Sequence, residues 1–117
     1  MKQLSLFLFL SWSLLAQENF AQEKIDLGPL KGGGYQVLMP ANWNKKLVMY
    51  AHGYQFMGSP AASANAGLEK RLKGILDRGF AVAASDYPIQ GFALAEGVDA
   101  TEELRQAFIK KMGQPDS

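Results

Sequence analysis

Side-chain chemistry in this sequence would have to come from one histidine, His52, together with Ser59, Ser63, Ser85 and Asp86. A serine becomes a nucleophile only when a base lies within hydrogen-bond reach and that base is oriented by a third group. Ser85, His52 and Asp86 would fall at the C-terminal ends of adjacent strands, the edge at which α/β sites form. Nothing in their spacing requires them to meet, and no Gly-x-Ser-x-Gly occurs in the sequence. Ser59-Pro60 reads instead as a helix start, with Ser as cap and Pro in the first turn. Ser63 falls in an Ala-rich helical start. Asp86 reads as a loop organiser that accepts hydrogen bonds from neighbouring N–H groups. His52 reads as a structural imidazole at a strand end. No catalytic side chain is therefore assigned.

Other chemistries are narrowed by composition. The absence of cysteine removes thiolate ligands and thiol nucleophiles, and a single histidine argues against zinc. No metal or cofactor is expected. Gly32-Gly33-Gly34 lacks the Gly-Lys-Ser/Thr of a phosphate loop and precedes a strand rather than a helix, so it reads as a turn. Net charge is +1 with both signs interspersed, which gives no reason to expect nucleic acid or an anionic membrane as partner.

The elements that would position these residues begin after a leader. Lys2 and the apolar run Leu4–Ala16 read as a secretory signal, with cleavage near Ala16 or Ala21. The run is too short for a stable membrane span. The expected product is exported, to a periplasmic or extracellular space, and residues 22–117 form one small domain.

Ile25–Pro40 reads as a hairpin whose second arm is Tyr35–Met39. Lys46–His52 reads as a strand apolar on both faces, the pattern of a parallel strand buried from above and below. Phe80–Ala84 repeats that character. Between them Leu68, Leu72, Ile75 and Leu76 form one stripe of an amphipathic helix that Gly79 stops. Asp99-Ala100-Thr101-Glu102 reads as an acidic capping box opening a last helix, with Leu104, Ala107, Phe108 and Met112 on its apolar face. The fold class is α/β: an N-terminal hairpin, a parallel βαβ unit and a C-terminal helix.

Tyr50-Ala51-His52-Gly53-Tyr54, followed by Asp86-Tyr87 and Gly91 past the next strand, resembles the first half of an α/β-hydrolase. The likeness runs from about Tyr35 to Asp116 and is strongest to secreted esterases and prolyl-oligopeptidase-like serine hydrolases. It implies that Gly53 permits a close approach and that the backbone N–H of Tyr54 is an oxyanion-hole donor. The catalytic histidine of that family lies near the C-terminus of full-length members, so His52 is not its counterpart. The resemblance covers a partial fold that stops before the nucleophile elbow, and such a fragment is expected to be inactive alone.

A fragment of this kind would leave the Leu47–His52 strand with an open hydrogen-bonding edge and uncover the Leu104 and Phe108 stripe. Self-association through the open edge is then expected, with marginal stability. A small ester or peptide would be a substrate only of a completed site. Trp43, Tyr54, Phe56, Tyr87 and Phe92 fall near the loops, either lining a pocket mouth or folded back on the core. A second reading, from another class, is a small exported βαβ binding or interaction module without catalysis.

Overall fold

The computed structural model describes residues 22–116, so the leader reading of residues 1–21 lies outside the described residues. Four strands form one mixed sheet: β1 (Gln22–Lys24), β2 (Tyr35–Pro40), β3 (Leu47–Tyr50) and β4 (Ala81–Ser85), in the order β1-β2-β4-β3. The pairs β1/β2 and β2/β4 are antiparallel, and β3/β4 is parallel. The hairpin is present, but its first arm lies earlier than Ile25, because Gln22 pairs with Pro40 and Lys24 with Leu38.

Strand β4 occupies the interior of the sheet, with all five of its residues buried. The alternation of side chains along a strand then divides the apolar residues between two faces. Ala81 and Ala83 join Val37, Met39, Leu104 and Phe108 on one face. Val82 and Ala84 join Leu38, Leu68 and Leu76 on the other. Small alanines on β4 let both helical layers come close to the sheet. The expected burial of Leu47–Tyr50 on both faces is corrected: these residues are only half-buried. The cause is position, since β3 pairs with β4 alone and lies at an edge of the described sheet.

Helix α1 (Leu68–Arg71) and helix α2 (Lys73–Asp77) replace the single helix expected over this stretch. The break falls at Leu72, whose φ and ψ of −104° and 18° are not helical, and Gly74 just beyond it is a poor helix former. The stripe nevertheless keeps its role, because Leu68 and Leu76 are buried against β2 and β4. Lys73 and Asp77 form an i,i+4 ion pair at 2.6 Å on the exposed side. Gly79 ends the helical segment at a φ of 91°, and a Cβ there would lie 2.8 Å from the Asn42 carbonyl. Both facts demand glycine.

Helix α3 (Leu94–Met112) begins five residues before Asp99, so the capping-box reading is corrected. A capping box needs a non-helical residue at its first position, whereas Asp99 lies inside the helix. Buried Gly97, Ala100, Leu104 and Phe108 continue one stripe at spacings of three, four and four. Its Leu104 and Phe108 lie against the sheet. Leu104 and Phe108 are fully buried, which corrects the expectation that they would be uncovered. Trp43 also folds onto this core: its ring meets Phe108 edge-on at 5.7 Å, and its Nε1–H donates to Lys46 O.

The glycine turn is secured by the same helix. Glu103 accepts from the N–H of Gly32 at 2.8 Å and of Lys31 at 3.0 Å. No helix among the described residues is long and apolar enough to cross a membrane.

Candidate functional site

The parallel strands β3 and β4 end side by side, and the chain leaving them builds the site. Beyond Tyr50 the backbone runs out of the sheet as Ala51-His52-Gly53-Tyr54, and beyond Ser85 as Asp86-Tyr87. Crevices at the C-terminal ends of parallel strands are where open α/β sheets hold ligands.

Tyr87 ties the two exits together. Its phenol O–H donates to the His52 carbonyl at 3.0 Å, and its ring stacks on the imidazole with centroids 3.8 Å apart. The residue has a φ of +64°, a region that side chains other than glycine seldom enter. Its N–H donates to Ser85 Oγ at 3.0 Å, which helps to hold that turn. Behind the ring lies Gly97 of α3, where a Cβ would meet Tyr87 Cε2 at 2.9 Å. Glycine inside a helix costs about 0.5–1 kcal/mol relative to alanine. Here it lets α3 close against the aromatic stack.

Among the described residues no serine lies within hydrogen-bond reach of the His52 ring. Its Nδ1 lies 2.7 Å from Gly53 O and its Nε2 lies 3.2 Å from Asp86 O. Both neighbours are acceptors, so a neutral imidazole can donate to only one of them. Ser85 Oγ is directed to the Tyr87 N–H instead, and a Ser85–His52–Asp86 triad does not assemble. Buried Asp86 accepts from Asn65 Nδ2 at 3.0 Å, and the same amide group donates to Ser85 O at 2.9 Å. The Asp86 N–H donates to Gly34 O, joining this turn to the glycine-rich one. Ser59 does not cap a helix, because the following turn over Ala61–Asn65 is capped by Pro60. The Ser63 hydroxyl donates to Pro60 O at 2.6 Å.

Gly53 and Tyr54 form an exposed arm, and among the described residues no acceptor meets either N–H. On one side of the arm is a cavity of about 560 Å³, lined by His52, Tyr87, Phe92, Leu94, Val98 and other residues. Its mouth is apolar: Phe92 is 93% exposed and Leu94 82%, and Tyr54 stands 5.0 Å from the Phe92 ring. Glu102 supplies a carboxylate at the rim. Hydrogen bonds from Arg105 and then from Gln106 hold that carboxyl down at about 2. Burial pushes the Tyr87 phenol above its ordinary value.

Sequence reasoning places His52, Gly53, Tyr54 and Asp86 at this end of the sheet, and the structure brings all four together. Tyr87 and Gly97 also belong to the site. The signal for Gly97 is its place in the stripe of α3, one turn ahead of Ala100. Tyr87 is among the aromatics expected near a pocket mouth, but its hydrogen bond to His52 O is not legible locally, because it joins residues 35 apart in the chain.

No group of three or more His, Asp or Glu residues among those described could hold a metal ion. The class that fold and site define is an α/β domain, a mixed sheet covered on both faces by helices, with its candidate site beyond the ends of two parallel strands. Comparison with family models, with curated proteins and with solved structures returned no match.

Proposed function

We propose that this chain is the N-terminal part of a secreted serine hydrolase of the α/β-hydrolase type, and that it contributes an oxyanion-hole arm without a nucleophile. The observation carrying this reading is the Gly53–Tyr54 arm, with both N–H groups unmet among the described residues beside a cavity at the end of β3. In α/β-hydrolases one oxyanion donor comes from the loop after the third strand, and the other is the N–H following the nucleophile. Here the arm follows β3 and leads towards the first helices. The edge of β3, unpaired among the described residues, offers a place for the strand that would bear the nucleophile.

In this reading the nucleophile, the catalytic histidine and its acid lie outside the part of the fold that the resemblance covers, and ester or peptide hydrolysis requires further polypeptide. An oxyanion donor of this type is worth roughly 2.7–4 kcal/mol of barrier in a complete site. Alone it can bind but not cleave. The proposal includes export, with the leader ending near Ala16 or Ala21.

The test is a titration of the isotopically labelled chain with phenylphosphonate, a tetrahedral oxyanion with an apolar substituent. The Gly53 and Tyr54 amide signals should shift saturably, and a serine-directed fluorophosphonate should leave no covalent label. Unmoved amides would remove the oxyanion role. Labelling at Ser85 would replace the reading with that of a compact hydrolase.

The exposed apolar mouth at Phe92, Leu94 and Val98 favours a second reading, a non-catalytic binding or interaction module. In that reading the open edge of β3 is a route to self-association, which would appear as a concentration-dependent mass in sedimentation.

A further inference from the structure

The arm has a second side. Across it from the apolar cavity lies a polar one of about 320 Å³, whose lining includes Gln55, Ser59, Ser63 and Arg71. His52, Gly53 and Tyr54 line both. We propose that the arm divides a two-part site for an amphipathic acyl compound. An apolar acyl chain would lie against Phe92, Leu94 and Val98, and an amide-linked, carboxylate-bearing portion against Gln55 and Arg71. The inference rests on the oxyanion-arm reading for where the acyl carbonyl lies, between the two cavities.

Gln55 identifies the polar half as a binding place. The residue is 8% exposed, and its Nε2 donates to Pro60 O and Ser63 Oγ, each at 2.9 Å. Its Oε1 has no hydrogen-bond partner. The Ser63 proton is already given to Pro60 O, so that neighbour cannot supply one. A buried carbonyl oxygen without a donor is costly to leave unmet; this one is shielded from solvent, and a small shift of the Gln55 side chain into the cavity it lines would bring it to a ligand N–H.

Arg71 identifies the charge. Its guanidinium donates to Tyr50 Oη at 3.2 Å and stands 5.6 Å from the centre of that ring. These contacts restrain the group at the rim and leave further N–H donors for a planar anion. No residue lining the polar cavity is acidic. An acceptor needing an N–H and a cation needing a carboxylate, lying in one small cavity, fit an amide-linked amino acid. Combined with the apolar cavity, the ligand class is an N-acyl amino acid.

Hexanoylglycine is the probe, with hexanoylglycinamide and hexanoate as comparisons, each titrated into the full chain by NMR. Hexanoylglycine should shift the Gly53, Tyr54 and Gln55 side-chain amide signals and bind more tightly than either comparison. Arg71→Gln should weaken hexanoylglycine about fivefold, the upper range for an exposed ion pair, and leave hexanoylglycinamide unchanged. Val98→Asp should weaken both acyl amides. Arg71 and Val98 are exposed, so an unchanged spectrum elsewhere verifies the fold of each variant.

Equal binding of hexanoylglycine and hexanoate, or equal effects of Arg71→Gln on the glycine and glycinamide ligands, would overturn the proposal. Should phenylphosphonate shift the arm amides while hexanoylglycine shows no dependence on Arg71, the divided site alone falls. Should Arg71 discriminate while phenylphosphonate leaves the arm unmoved, the oxyanion reading alone falls.

Discussion

The packed middle of the sheet and the loop end around residues 51–57 and 86–93 are built on opposite principles. In the middle, Val37, Val82 and Ala83 are buried with their backbone in regular pairing, and Leu104 and Phe108 of α3 are buried against the sheet. At the loop end, Tyr54, Phe56, Met57 and Phe92 face solvent, Tyr87 has a positive φ, and Gln55 Oε1 and Thr101 Oγ1 lack partners. Burying apolar surface contributes roughly 25 cal/mol per Å², whereas strained or unpartnered groups each cost on the order of 1–3 kcal/mol. The middle therefore stabilises what the loop end destabilises. Unfavourable features gathered at one end of a well-packed sheet are a usual mark of a binding site.

The contrast is most severely tested at Phe108. Phe108→Ala should cost about 3–5 kcal/mol, because it removes a fully buried ring and leaves a cavity between α3 and the sheet. In urea denaturation that loss should shift the midpoint far enough to unfold much of the population. A cost below about 1 kcal/mol would mean that α3 is not anchored to the sheet in the way described.

Gly97→Ala tests the seam between the two regions. Overlap with Tyr87 should cost about 1–3 kcal/mol, offset in part by about 1 kcal/mol of better helix propensity. Its signature is local: the Tyr87 and His52 ring signals should move while those of Leu38 and Val82 do not. A purely stabilising effect would show that the stack does not depend on a close helix.

Tyr87→Phe should cost about 0.5–1.5 kcal/mol for the lost hydrogen bond to His52 O. The sign of its pH dependence follows from the phenol's raised value in the fold, caused first by burial. Such a group contributes fully below the ordinary tyrosine value of about 10, and the contribution is lost as pH rises through the folded value. Alkaline destabilisation should therefore be weaker in Tyr87→Phe. It should not vanish, because burial also raises Tyr35. Identical alkaline profiles for the two proteins would remove this assignment.

The smallest effect on stability is expected for Phe92→Ser. The side chain is 93% exposed, so thermal stability should change by no more than about 0.5 kcal/mol. Ligand binding in the apolar cavity should nonetheless weaken. A large loss of stability would place Phe92 in the core and erase the distinction between the two regions.

Much of the scaffold was legible in the residues. Tyr35–Met39, Leu47–Tyr50 and Ala81–Ala84 carry strand patterns, the Leu68–Leu76 stripe lies where it was expected, and Gly79 terminates it. The start of α3 was harder to read. Asp99-Ala100-Thr101-Glu102 is a valid start signal locally, and only the packing of Gly97 against Tyr87 and of Ala100 against the glycine turn draws the helix back to Leu94. Of the site, the His-Gly arm and Asp86 were visible as a motif. Gln55 and Arg71 were not, since neither belongs to a pattern and each matters only through what it faces.

By itself the sequence determined the class of fold, because side-chain periodicity and turn chemistry are local properties that survive in any context. It also determined that these 117 residues contain no Gly-x-Ser-x-Gly. Tertiary structure alone decided which apolar strand is buried on both faces. Leu47–Tyr50 and Ala81–Ser85 both read as apolar strands, and burial went to the strand that is paired on both sides. It likewise decided that His52 stacks on Tyr87 and that its arm parts an apolar cavity from a polar one. Those relations join segments far apart in the chain, and no local pattern encodes them.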